Sequence, residues 1–245
     1  MHPRSLKQDG RAGEAPSYRL APLSKSDFAY HELRRRIICG DLAPGTRLDL
    51  NVLCETLEVS RMPVREALSR LDAQGLVKVH PQHATVVSPL SAADLRDTYG
   101  ARIALESLLA GAGAGRVDEN LLQEMSGEIE AQRRFAEEGD LEGYLNSDRD
   151  FHDLLYERAD MTRTCALVHG LRDVADRYIY LFLEADAHRW ESIAEHEHLL
   201  RLCGSGDAVE LQQAVALHIA RGRDALQVQI EAAGESALAA LGTAR

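Results

Sequence analysis

The sequence predicts a mainly α-helical protein in two modules: an N-terminal unit of three helices closed by a β-hairpin, and a C-terminal antiparallel all-α bundle of about six helices. Three observations carry this. Residues 1–90 hold 13 Lys+Arg against 10 Asp+Glu, a balance of +3, whereas residues 91–245 hold 15 against 29, a balance of −14; such a shift implies separate units. The stretch "LVKVHPQHATVV" (76–87) alternates apolar and polar residues around Pro81 and His83 and ends β-branched, as a hairpin does. Beyond "SPLSAADL" (88–95) no strand pattern recurs, and helical periodicity runs on between short Gly- and Asp-containing breaks.

Residues 1–22 mix Gly, Pro and charge and read as a disordered extension. In "SDFAYHELRRRII" (26–38) the apolar Phe28, Leu33, Ile37 and Ile38 are backed by Arg34, Arg35 and Arg36, an amphipathic helix that stops at Gly40, Pro44 and Gly45. A short helix covers Asn51–Leu57. A second opens at "SRMPVREALSRLDAQGL", with Ser60 placed to cap it, Pro63 in the first turn where a missing N–H costs little, and Gly75 closing it. Three helices and a hairpin over residues 23–88 describe a winged helix-turn-helix, with 89–92 as linker. The bundle, 93–232, reads as helices near 92–114, 118–138, 140–159, 163–185, 189–204 and 206–231, and 233–245 as a tail.

The chain has 245 residues, 45% hydrophobic and 27% charged, enough apolar mass for a sizeable core. It shows neither a membrane-length apolar run nor a secretory signal, so a cytoplasmic location is the default expectation. Cys39, Cys54, Cys165 and Cys203 are widely spaced and read as reduced thiols. A net charge of −11 argues against nucleic acid as a partner for the whole chain, but not for the basic first module.

Two groups of residues carry chemistry. Arg61 and Arg65 lie four apart on one face near the N-terminus of a helix, where a guanidinium fork can bridge O6 and N7 of guanine; a solvated basic face is the plainer alternative. In the bundle, Asp148 and His152 share a helical face with Leu145, Leu155 and Ala159. His196 groups with Ile193, Leu199 and Cys203, and His218 with Leu211, Ala214 and Val215, while His169 and His188 fall near expected helix ends. Inward imidazoles on three helices can converge, although each alone is more often a hydrogen-bonded core histidine.

The strings "ELRRRIICGDLAPGTRL" and "LEVSRMPVREALSRLDAQGLV", with the hairpin after them, resemble the DNA-binding domain of GntR-type transcription regulators over residues 25–88. That resemblance implies base and phosphate contacts for Ser60, Arg61 and Arg65, phosphate contacts for Arg34 and Arg35, and a wing contact for His83. Glu58 stands where the family usually has a turn glycine, and Ala84 where it usually has the wing-tip glycine. Further on, "RIALE" (Arg102, Glu106), "DRDFH" (Asp148, His152), "EH" (Glu195, His196) and "HIARGR" (His218) resemble the FCD effector domain of the FadR-type branch, in its six-helix, VanR-like variant. Met161 stands where that family often has asparagine.

The second resemblance implies a divalent metal on Asp148, His152, His196 and His218, a ligand set that suits Zn²⁺, Ni²⁺, Mn²⁺ or Fe²⁺. Open coordination positions would receive a small organic carboxylate effector. Arg102, on a stripe with Leu95, Tyr99, Leu105 and Leu109, is the first candidate for its counter-charge, the alternative being a salt bridge to Glu106; Arg172, Arg177 and Tyr178 are weaker pocket candidates that read more readily as surface or interhelical contacts. The whole reads as a homodimeric regulator, a repressor on family grounds, that binds a roughly palindromic double-stranded operator and responds when an effector reorients the first bundle helix beside the linker. No nucleophile or base motif assigns a catalytic residue. The rival readings are a metal-dependent enzyme and a regulator for which the ion itself is the signal.

Overall fold

The computed structural model describes residues 24–79, 85–182 and 186–233. Among these the head comprises α1 (Lys25–Ile38), β1 (Arg47–Leu48), α2 (Leu50–Leu57), α3 (Arg61–Ala73), β2 (Val77–Lys78) and β3 (Thr85–Val87). Capping chemistry sets two of the helix starts: the Ser24 hydroxyl accepts from Asp27 N–H, and the Asp49 carboxylate accepts from Asn51 and Val52 N–H. Ser60 has the extended backbone of a cap residue but makes no side-chain cap hydrogen bond, so its hydroxyl is not committed to the helix it precedes. The head core is built from Leu33 and Ile37 of α1, Val64, Ala67 and Leu71 of α3, and Leu76 and Val87 of the sheet. Phe28, expected on the apolar face of α1, is 45% exposed; Ala29 and Tyr30 are buried instead.

The expected hairpin is two strands of a three-stranded antiparallel sheet ordered β1-β3-β2, with Leu48 opposite Thr85 and Val77 opposite Val87. A two-residue β1 is too short to produce an alternation, which is why it escaped the pattern. The wing tip, with His83 and Ala84, lies outside the described residues.

The bundle follows the expected order: α4 (Ala92–Gly113), α5 (Glu119–Glu138), α6 (Leu141–Tyr156), α7 (Thr162–Phe182), α8 (Asp186–Ser205) and α9 (Ala208–Ala233). Helix α4 is the central strut, packed against α9 along its length and against α7, while α5 lies between α6 and α8. Its C-terminal end comes so close to α6 that a Cβ on Gly113 would sit 2.7 Å from the Leu155 carbonyl oxygen, so only glycine fits there. That approach fixes the end of α6 that carries His152 and Tyr156. No helix among the described residues is long and apolar enough to cross a membrane.

The turn between α2 and α3 runs through Glu58 in the left-handed region, φ 54°. A side chain there costs roughly 1–2 kcal/mol, while glycine's extra freedom in the unfolded chain costs about 0.4–1 kcal/mol. Glu58→Gly should therefore raise head stability by up to about 1.5 kcal/mol, whereas Gly75→Ala, at φ +78° with open space around it, should lower it by a similar amount; chemical denaturation of the two variants checks both signs.

Candidate metal centre and DNA-reading helix

Three helices each place one imidazole at the centre of the bundle: His152 from α6, His196 from α8 and His218 from α9. Their ring centroids form a nearly equilateral triangle with sides of 5.0, 5.2 and 4.9 Å. One nitrogen from each lies within 4.8 Å of the others. His152 and His196 are 2% and 0% exposed. Burial pushes both pKa values well below the ordinary 6.5, and the Arg172 guanidinium adds to the effect, so both rings are neutral, the form that ligates metal.

The Nδ1 atom of every ring is held from behind. His196 Nδ1 is 2.7 Å from Gln132 Oε1, and the same amide donates from Nε2 to the Ser147 carbonyl, so the amide's orientation makes His196 Nδ1 the donor. His152 Nδ1 is 3.2 Å from the Tyr156 hydroxyl, whose own proton goes to Glu106 Oε2, 3.0 Å away, so again the ring donates. His218 Nδ1 is 2.6 Å from Glu195 Oε2, and that carboxylate also accepts from Arg221. Each histidine thus keeps Nε2 as its lone-pair nitrogen. His196 Nε2 is buried without a hydrogen-bond partner, a state that costs about 1–3 kcal/mol unless something else binds there. Three imidazoles held through Nδ1, with one nitrogen of each within 4.8 Å of the others, form a candidate donor set for a divalent cation.

Asp148 stands at the edge of this triangle. Its Oδ1 is 3.5 Å from His196 Nε2, and its Oδ2 accepts from Arg172 at 2.8 Å. Desolvation pushes its carboxyl above the ordinary value, although the Arg172 charge opposes this. A pocket of about 140 Å³ opens beside the cluster, lined by Arg102, Asp148, His152 and His218 and walled by Tyr99, Tyr144, Ile179 and Leu226. Arg102 makes the salt bridge to Glu106 that was its alternative reading: Nε donates to Glu106 Oε1 at 2.6 Å while the guanidinium lies over Tyr99, 4.7 Å from the ring centre, and the side chain also lines the pocket.

Other residues singled out in the sequence make contacts within the protein, and Arg172, Arg177 and Tyr178 make the interhelical or linker contacts of their alternative reading. Arg172 is 1% exposed and lies behind Asp148, outside the pocket lining. Tyr178 also lies outside it: its hydroxyl accepts from Ser91 N–H at 3.1 Å and donates to Asp94 Oδ2 at 2.7 Å, pinning the linker to the start of α4. Arg177 is buried with a guanidinium on the Ser88 carbonyl. Arg34, expected on phosphate, donates to Asp173 of α7 at 2.5 Å, and Arg35 is ringed by Glu32, Asp41 and Glu142. Arg34 is thus held by a bundle carboxylate, whereas the Arg35 side chain stays 39% exposed and pairs mainly with carboxylates of the head. His169, expected near a helix end, lies within α7 and pairs with Asp153 at 3.2 Å.

At the head, Ser60, Arg61 and Arg65 are exposed at the start of α3, and Arg61 Nη2 donates to Asn51 Oδ1 at 2.7 Å. Gln132 and Tyr156, which orient the site, were missed by sequence reasoning. Their signals were present: Gln132 is a polar residue on the buried stripe of Met125, Ile129 and Ala136, and Tyr156 follows His152 at i+4.

A helix-turn-helix with exposed arginines at the start of α3 and a small sheet, joined to a helical domain, defines a DNA-binding regulator with a helical C-terminal domain. Family comparison agrees over both modules. Residues 25–87 match the family described as "Bacterial regulatory proteins, gntR family", and residues 97–221 match the "FCD domain"; the chain belongs to the GntR family of bacterial transcription regulators, with an FCD domain. It is 27% identical over 190 residues to the HTH-type transcriptional repressor RspR of Escherichia coli K12, covering 78% of this chain and 83% of that one. Its fold is similar to E. coli McbR/YncC, with a TM-score of 0.76 and 26% identity over 85% of this chain and 99% of that one. A transcriptional regulator, GntR, from Rhodococcus sp. RHA1 shares the fold, with a TM-score of 0.72 at 20% identity over 85% and 100% of the two chains. The matched domains and relatives are regulators, not enzymes.

The depressed imidazole pKa values have a pH consequence. Below the ordinary 6.5 the unfolded chain takes up protons at His152 and His196 that the folded chain refuses, so stability falls as pH falls, by up to about 1.4 kcal/mol per pH unit for each ring. His169, raised by its hydrogen bond to Asp153, and Asp148, raised by desolvation, contribute with the opposite sign. The comparison that isolates the term is between chelator-treated wild type and His196→Asn: between about pH 7.5 and 5.5 the wild-type melting temperature should fall more steeply, and parallel curves would contradict a buried neutral His196.

Proposed function

We propose that this protein is a dimeric repressor that binds a two-fold operator through α3, and that His152, His196 and His218, with Asp148 as fourth ligand, hold a divalent cation beside a pocket for a small organic acid. The unpartnered, fully buried Nε2 of His196, facing two other imidazoles, carries this reading. A His₃ set with one carboxylate suits Zn²⁺, Ni²⁺, Mn²⁺ or Fe²⁺, and among the described residues no cysteine belongs to the cluster. When bound, such an ion supplies a positive charge for an effector carboxylate. The chain's own part is to shape the approach: Arg102 offers a second positive charge at the pocket wall, already oriented by Glu106 and Tyr99, and the apolar Ile179 and Leu226 select a compact organic body over a hydrated inorganic anion.

On DNA, Arg61 and Arg65 at the start of α3 read base edges or phosphate, with the free Ser60 hydroxyl beside them. Similarity to two repressors, RspR and the Bacillus licheniformis gluconate operon repressor, supports repression over activation.

Three experiments test the reading. Elemental analysis of purified protein should give close to one divalent ion per chain, lost together with metal-induced thermal stabilisation in His152→Ala; full occupancy in that variant would remove His152 from the site. Arg102→Met should keep the metal yet abolish the thermal shift produced by active carboxylates in a screen. For the head, Arg61→Ala should weaken operator binding by about 1–3 kcal/mol while non-specific binding changes little; an unchanged operator affinity, measured by fluorescence anisotropy, would show that Arg61 does not read bases.

A further inference from the structure

Helix α7 presents neighbouring charged residues to different parts of the molecule. Successive residues on a helix project about 100° apart, so Arg172 and Asp173 face different partners from adjacent backbone positions. Arg172 reaches Asp148 at 2.8 Å beside the imidazole triangle. Asp173 accepts from Arg34 of α1, in the head, at 2.5 Å and from Arg149 of α6 at 2.9 Å. One turn further on, Asp176 also pairs with Arg149, Arg177 holds the Ser88 carbonyl at the end of the head, and Tyr178 holds Ser91 and Asp94. Helix α1 itself rests against α7.

We propose that Arg172 and Asp173 are positioning residues that tie the Asp148 carboxylate to the DNA-binding head, so that α7 transmits occupancy of the His/Asp site to α1. Burial makes the linkage stiff. The Arg172 side chain is 2% exposed, with Nε lacking any hydrogen-bond partner, so its guanidinium has no solvent shell to retreat into when Asp148 moves. Asp173 is 5% exposed on its side chain and bridges two guanidinium groups, so a shift of α7 must carry Arg34 with it or leave a buried carboxylate short of a partner. This explains why Arg34 is withheld from phosphate: it is the head's handle on the bundle. The linker contacts of Arg177 and Tyr178 confine the motion to a pivot at residues 88–94.

The inference rests on the cation reading of the site, and the test separates the two. Amide hydrogen exchange is followed on chelator-treated full-length protein before and after adding Zn²⁺ alone, for wild type, Asp173→Asn, Arg34→Met and Arg34→Lys. In wild type, Zn²⁺ should slow exchange several-fold in α6 and α8 and also in residues 25–38. Asp173→Asn and Arg34→Met should keep the first effect and lose the second, and Arg34→Lys, which retains an ion pair, should restore it. Protection of α6 and α8 without any change in residues 25–38 of the wild type, or an undiminished change in both clamp variants, would overturn the linkage while leaving the cation site standing. Absence of Zn²⁺ protection at α6 and α8 would overturn the cation site and, with it, the linkage.

Discussion

The C-terminal domain is organised around one buried imidazole. His196 is wholly enclosed, its Nδ1–H is committed to Gln132, and its Nε2 faces two further rings rather than a hydrogen-bond donor. An apolar residue at this position would cost less in a bundle whose only task was stability. Around that atom the bundle is built to hold neutral donors in place: Gln132 is oriented by Ser147, Tyr156 by Glu106, and Glu106 by Arg102. Removing any member leaves another buried polar group without a partner, so the network is cooperative in the sense that its parts are worth more together than apart.

The same economy governs charge elsewhere. The bundle carries a balance of −14 by sequence, and the structure spends part of it internally, on arginines that a reading by residue type alone would send to DNA. Arg34 is drawn to Asp173 of the bundle and Arg35 in part to Glu142, while Arg61 and Arg65 at the start of α3 stay exposed. Phosphate would have to displace buried or semi-buried carboxylates to recover Arg34, which favours the intramolecular pair.

Much of this was legible in the sequence. Helical periodicity with Gly and Asp breaks located all six bundle helices, because each buries a continuous apolar stripe and ends at residues that cap or turn. The phases of His152, His196 and His218 pointed inward for the same reason, and the rings do converge. What periodicity does not report is which polar residue lies behind another. Arg172 and Tyr178 share the inward phase of pocket residues yet serve Asp148 and the linker, a distinction set by the rotation of α7 against α4 and α6 rather than by its own pattern. Gln132 showed only as an amide on an apolar stripe, a signal with many explanations, and β1 was invisible because two residues form no pattern. Glu58 shows the reverse case: the departure from a turn glycine was readable, and the backbone keeps the left-handed turn regardless.

The most direct measurement is anomalous X-ray scattering from crystals of the protein grown with Zn²⁺ or Ni²⁺. A single peak enclosed by the triangle, about 2.0–2.2 Å from the Nε2 atoms of His152, His196 and His218, is the predicted result. A triangle with no peak, or a metal bound only through Nδ1 atoms or at surface histidines such as His169 and His188, would contradict it.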